Sequence, residues 1–269
     1  MRQGVIASTG AQIRRGADQA GFTVRTLLAA LLTVPRGLLS RRRIAAIFAQ
    51  MYFCGVKAIG VTTVVGVFTG MILALQAGIE FRKVGQAETI GIIVAATVCR
   101  EMGPIITAII LTAMAGSTIA AEIGTMKVSE EIDALEVMSV DPVEMLVMPR
   151  IVGFTLMALA LTVLVDIVGI LGGGIVAQAR LGVPFGRYFD LARQTLEGRD
   201  FLGFLPKDVY SGLVKSVVFG VLISSVACAQ GLLAHGGALG VGRAVRRTVV
   251  ASIMLILVVG YLMTAFFYA

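Results

Sequence analysis

The first pattern along the chain is the spacing of its charges. Residues 58–79 carry none between Lys57 and Glu80, and residues 102–121 carry none between Glu101 and Glu122. Residues 151–179 are interrupted only by Asp166, residues 216–242 are uncharged, and residues 248–269 run uncharged to Ala269. A bilayer-spanning helix needs roughly 20 mainly apolar residues. The pattern therefore predicts five transmembrane helices, at about 56–79, 89–122, 150–179, 209–234 and 248–268. A shorter apolar piece, Thr89 to Cys99, runs into Arg100-Glu101-Met102-Gly103-Pro104. It is too short to span alone, and reads either as a re-entrant piece or as an extension of the second span.

Composition fits a bilayer as solvent. Apolar residues make up 57% of the chain and charged ones 14%, against about 25% charged in soluble domains; mean hydropathy is +0.92. Lys and Arg number 14 in residues 1–57, 123–150 and 235–247 together, against 7 in residues 79–88 and 179–208. Because cytoplasmic segments hold the excess, the N-terminus is expected in the cytoplasm and Ala269 outside. The net charge of +7 raises nucleic acid as a partner, but the basic residues cluster beside spans, as at Arg41-Arg42-Arg43 and at Arg243, Arg246 and Arg247. Anionic lipid headgroups are the better counter-charge, and no nucleic acid is expected.

Residues 1–45 are expected to form an interfacial elbow ahead of a permease-like domain over 46–269. Ile6, Ile13, Ala20, Leu27 and Val34 recur every seven residues, with Arg14, Arg15, Asp18 and Arg25 elsewhere on the wheel. That is a basic amphipathic helix lying on a membrane, or alternatively a helix packed on a partner. The apolar run Thr26 to Val34 is followed by Arg41-Arg42-Arg43 and not by an A-x-A-like site, so signal cleavage is not expected. Cys54, Cys99 and Cys228 are dispersed in apolar surroundings and read as small hydrophobes. Gly66-x-x-x-Gly70 and Gly169 with Gly172, Gly173 and Gly174 allow helix backbones to approach closely.

Polar information concentrates between Glu122 and Arg150. Ser129 is expected to cap a helix whose first turn holds Glu130 and Glu131, with Ile132, Leu135 and Met138 on one face. Asp141-Pro142-Val143-Glu144 starts a second helix, with Asp141 as cap, Pro142 first and Glu144 reaching back. Pro149 is expected to end or kink it. A short acidic helix hung between two spans suits docking into a groove on another protein; a solvated loop is the alternative.

Enzyme chemistry finds little footing. The one histidine, His235, lies in a Gly-rich segment, and there is no G-x-S-x-G, H-E-x-x-H or G-x-x-x-x-G-K-[ST] motif. Nothing in the sequence fixes Ser224 or Ser225 against His235 for intramembrane proteolysis. The chain is expected to be no enzyme, to need no cofactor or metal, and to lack a phosphate-binding loop for ATP.

Several blocks together resemble the MlaE/YrbE permease family: Arg100-Glu101-Met102-Gly103-Pro104, Ala120-Ala121-Glu122-Ile123-Gly124-Thr125-Met126-Lys127, Ile132 to Met138, and Val140-Asp141-Pro142. A second set, Ser211 to Gly220, Gly240 to Ala244 and Thr248 to Ser252, agrees. The resemblance covers nearly everything from about residue 45. It implies an all-α permease subunit of an ABC transporter with a cytoplasmic coupling segment at about 123–149. It also implies a pairing with a second permease copy, two copies of a cytoplasmic ATPase, periplasmic MCE-domain lipid-binding proteins and a small STAS-type subunit. Such complexes move phospholipids or related lipids between the inner membrane and the periplasm or outer membrane.

The resemblance places the coupling helix on the acidic segment, making Glu130, Glu131, Asp133, Leu135 and Glu136 the candidate ATPase contacts. It places Arg100 and Glu101 near the lipid route; a mutually satisfied pair pinning a broken helix is the alternative. Phe68, Leu75 and Gln76 of the first span are expected to line a cavity between two copies. Where many relatives carry arginine, this chain has Met114, so a headgroup-contacting role does not transfer to that position. A competing class is an ion-driven secondary transporter using Asp166 and Glu101 as proton-linked carboxylates; a third is a membrane anchor for other subunits.

Overall fold

The computed structural model describes residues 21–30, 32–33, 41–197 and 206–268. Ile6, Ile13, Ala20 and Val34 of the heptad pattern, with Arg14, Arg15 and Asp18, lie outside the described residues, as does part of the 181–207 linker. Residues 21–30 are helical, with Leu27 packed against the core.

Five helices are long and apolar enough to cross a membrane: span 1 (Arg43–Lys83), span 2 (Ala87–Val128), span 3 (Val143–Leu181), span 4 (Lys207–Leu232) and span 5 (Gly237–Tyr268). No strand occurs among the described residues. A helix satisfies its backbone internally, as hydrocarbon demands, and the chain is an all-α integral membrane protein. At 1.5 Å per residue, about 40 residues reach roughly twice the hydrocarbon thickness, so spans 1 to 3 extend past the apolar layer. Successive spans alternate in direction. One end of the bundle therefore holds the start of span 1 and the links 128–143 and 232–237; the other holds the links 83–87 and 181–207.

Span 2 is continuous from Ala87, so the Thr89–Cys99 piece is an extension and not re-entrant. Nor does the span break at Arg100-Glu101. The turn Val98–Met102 widens to π geometry, and the Gly103 N–H donates to Val98 O. Further π turns occupy Tyr52–Val56, Thr112–Gly116 and Val143–Val147.

Span 1 packs most extensively on span 3. Its buried residues Ala58, Thr62, Gly66, Gly70, Ala74 and Gly78 recur every fourth position. A Cβ on Gly70 would collide with the Gly169 backbone, which explains why both sides of this seam are glycine. Span 4 is the most enclosed, touching spans 2, 3 and 5. The helix Phe185–Leu196 folds back on span 2, and its fully buried Tyr188 donates its hydroxyl to Ile170 O at 3.1 Å.

Several local expectations change. Ser129 closes span 2 and does not cap the acidic helix: its N–H donates to Thr125 O, and its hydroxyl lies 2.9 Å from both Thr125 O and a Glu131 carboxylate oxygen. The reversal needs a left-handed residue, and Glu130 supplies it at φ 61°. Asp141 does cap, accepting the Val143 N–H at 2.9 Å. Glu144, however, pairs with Arg43 at 2.6 Å instead of reaching back, because a cation on span 1 lies within reach. Pro149 does not end the helix: span 3 runs through it, two residues past the π turn Val143–Val147. The basic stretch from Gly237 to Arg247 is the helical start of span 5, not a loop.

Candidate functional site

Charged groups gather at two places, one at each end of the bundle. The first lies where span 2 meets the starts of spans 4 and 5's final turns. Pro104 has no N–H to offer the Arg100 carbonyl four residues back. Lys215 supplies the missing donor: its Nζ lies 3.0 Å from Arg100 O, 2.5 Å from Glu101 Oε1 and 2.8 Å from Thr264 Oγ1. Lys215 is wholly buried. Its ammonium therefore has all three protons matched to acceptors, as a buried charge requires.

Arg100 points the other way. Its Nη2 and Nε approach Asp208 Oδ1 at 2.8 and 3.1 Å, and the guanidinium stacks 4.1 Å from the Tyr268 ring centroid. The Tyr268 hydroxyl donates to the same Asp208 oxygen at 2.7 Å and lies 2.9 Å from Ser211 Oγ. Asp208 sits in the first turn of span 4, where the helix dipole favours a carboxylate. Arg100 and Glu101 are thus not paired with each other. They divide between Asp208 and Lys215 and tie span 2 to spans 4 and 5. Gly212 makes the approach feasible, since a Cβ there would strike the Cys99 carbonyl.

The second place is the acidic helix Glu131–Val137, bracketed by Glu130 and by Ser139, both at positive φ. Behind it, Glu122 and Arg150 pair at 3.2 Å, and Arg150 also donates to Leu146 O at 3.0 Å. Ile132 is buried as the anchor and Leu135 is half-buried. Asp133 is held by Lys127 at 2.5 Å. Glu130, Glu131 and Glu136 are exposed, and so are Val137 and Met138, at 86% and 66%. The outward apolar groups are therefore Met138, which the sequence pattern places on the face of Ile132 and Leu135, and Val137, which that pattern does not pick out; Leu135 is not one of them.

Of the remaining candidates, Phe68, Leu75 and Gln76 lie exposed on the outer face of span 1, opposite its buried stripe. The structure does not bring them together with Arg100 and Glu101. Asp166 is buried in span 3 with Oδ1 unpartnered, against Gly103. Asp208, Lys215, Thr264 and Tyr268 were missed. The first two stand seven residues apart, on one helix face, a spacing that flags them in retrospect.

Charges paired between membrane helices, with carboxylates displayed at one end, define a multi-pass membrane protein and point to the transport class. A sequence profile described as Permease MlaE matches residues 47–266, and the chain belongs to the MlaE permease family. It is 37% identical over 225 residues to a probable ABC transporter permease protein of Rickettsia conorii, covering 84% of each chain. It is 34% identical over 219 residues to the chloroplastic protein TRIGALACTOSYLDIACYLGLYCEROL 1 of Arabidopsis thaliana, covering 81% of this chain and 60% of that one. Against the intermembrane phospholipid transport system permease protein MlaE of Haemophilus influenzae, identity is 29% over 263 residues, with 97% and 96% coverage. The chain is a transport subunit and not an enzyme.

Proposed function

We propose that this protein is the membrane subunit of an ABC transporter that moves phospholipids or related lipids between the inner membrane and the periplasm or outer membrane. A separate cytoplasmic ATPase drives it. The acidic-helix end faces the cytoplasm, two permease copies pair, and periplasmic MCE-domain proteins exchange lipid at the other end. The observation that carries this reading is the acidic helix, a rigidly bracketed element with exposed carboxylates beside the exposed Val137 and Met138. Such a tip fits a basic-rimmed apolar groove, with Glu130, Glu131 and Glu136 meeting cations and Asp133 orienting the helix through Lys127. The Arg100–Asp208 and Glu101–Lys215 pairs then border the lipid route, and Phe68, Leu75 and Gln76 line the cavity between copies.

The test is the double substitution Glu130→Lys with Glu131→Lys in the assembled complex. Loss of lipid-stimulated ATP hydrolysis with the permease still folded is expected; unchanged hydrolysis and intact co-purification of the ATPase sink the coupling role. One observation favours a second reading. The unpartnered Asp166 carboxylate in span 3 is the kind of group a proton-driven transporter uses. Lipid movement that persists without any ATPase and stops in Asp166→Asn would establish that reading instead.

A further inference from the structure

Six cations on the spans have carboxylate partners: Arg43 with Glu144, Lys83 with Glu80, Arg100 with Asp208, Lys127 with Asp133, Arg150 with Glu122 and Lys215 with Glu101. Lys57 has none among the described residues; its ammonium lies 4.4 Å from the centroid of the Phe53 ring one turn back. It opens the charge-free stretch of span 1, and the 27 residues from Lys57 to Lys83 put roughly 39 Å of helix between the two. That is the hydrocarbon plus part of a headgroup layer, so Lys57 stands at headgroup depth on the acidic-helix end.

Lys57 also borders a cavity of about 160 Å³ shared with Phe53, Met114, Ala115 and Thr118. The cavity forms where two π turns touch, Tyr52–Val56 of span 1 and Thr112–Gly116 of span 2; such widened turns recur at functional sites. With about 30 Å³ per liquid water, the space takes a compact group of about five waters' volume, such as a phosphate. The Thr118 hydroxyl is committed to Met114 O at 2.6 Å, which leaves Lys57 as the cationic donor of the lining. Beyond it, Val61, Val64, Phe68, Ile72 and Leu75 continue the same exposed helix face at spacings of three and four.

We propose that Lys57 and this cavity hold the phosphate of a membrane lipid, whose chain lies along the Val61 to Leu75 stripe. A phosphate ester supplies the counter-charge that the protein withholds. This assigns a specificity-determining headgroup contact to Lys57 and rests on the lipid-transport reading above.

Native mass spectrometry of the full chain in detergent, titrated with short-chain phosphatidic acid or the matching diacylglycerol, tests the site without any transport. The wild type is expected to prefer phosphatidic acid about tenfold, one charge-assisted contact. Lys57→Gln abolishes the preference and leaves diacylglycerol binding as it was. Adding Met114→Arg restores it, because that residue faces the same cavity from span 2. A preference that survives Lys57→Gln, a loss of both lipids together, or a double variant that stays unselective overturns the proposal. Inorganic phosphate displacing phosphatidic acid at equal concentration overturns the lipid as its occupant. If the selectivity behaves as expected while the assembled complex moves no lipid, the transport reading falls and the site stands.

Discussion

The two charged ends of this bundle treat the same residue types in opposite ways. Around Lys215, every charge is matched: ammonium, guanidinium and carboxylates share seven hydrogen bonds among themselves and with Thr264, Tyr268 and the Arg100 carbonyl. On the acidic helix, Glu130 and Glu136 stand exposed, and in water they need no partner. Where the dielectric is low, an unmatched charge costs several kcal/mol, so composition there is dictated by pairing. Where it is high, carboxylates stay free to be recognised by something else.

Substitutions measure how far that contrast holds. Lys215→Met leaves Glu101 without its cation and the Arg100 carbonyl without a donor, and should destabilise by about 3–5 kcal/mol, read as a fall in melting temperature in detergent. Glu101→Gln on the same background should recover part of the loss. Gly212→Ala forces a methyl onto the Cys99 carbonyl and should cost about 1–3 kcal/mol by the same measurement. At the other end the effects shrink. Ser139→Gly relieves a left-handed residue and should raise stability by up to about 1 kcal/mol. Val137→Asp with Met138→Asp should shift melting by under about 0.5 kcal/mol yet abolish lipid-stimulated ATP hydrolysis in the assembled complex. A large loss of stability in that double variant would mean the tip is packed and not presented.

Charge-free lengths made the spans legible, because the bilayer imposes a single length scale on every helix. The acidic helix was legible too, since its carboxylates interrupt that pattern within one short segment. The partners of Arg100 and Glu101 were not. Asp208, Lys215, Thr264 and Tyr268 lie more than 100 residues downstream, and Thr264 and Tyr268 stand in an uncharged run where a charge-based ruler sees nothing. The continuity of span 2 was legible only as one of two alternatives, because a Gly-Pro step reads as a break unless a π turn absorbs it. Left-handed backbone at Glu130 and Ser139 was equally invisible, as neither residue is glycine and the conformation is imposed by the tight reversals on either side of the helix.

The small-residue stripe of span 1, from Ala58 to Gly78, steps by four along a helix that turns every 3.6 residues. Each step advances the stripe about 40° around the axis, and five steps carry it through about 200°. A period longer than 3.6 winds with a right-handed sense, so a neighbour that keeps to the stripe must coil around span 1 like the second strand of a rope. Strands laid that way resist sliding: a shift by one residue drives side chains into carbonyls at Gly70 and Gly172. Spans 1 and 3 are accordingly expected to travel as one lever, with the hinge of any transport cycle lying elsewhere in the bundle.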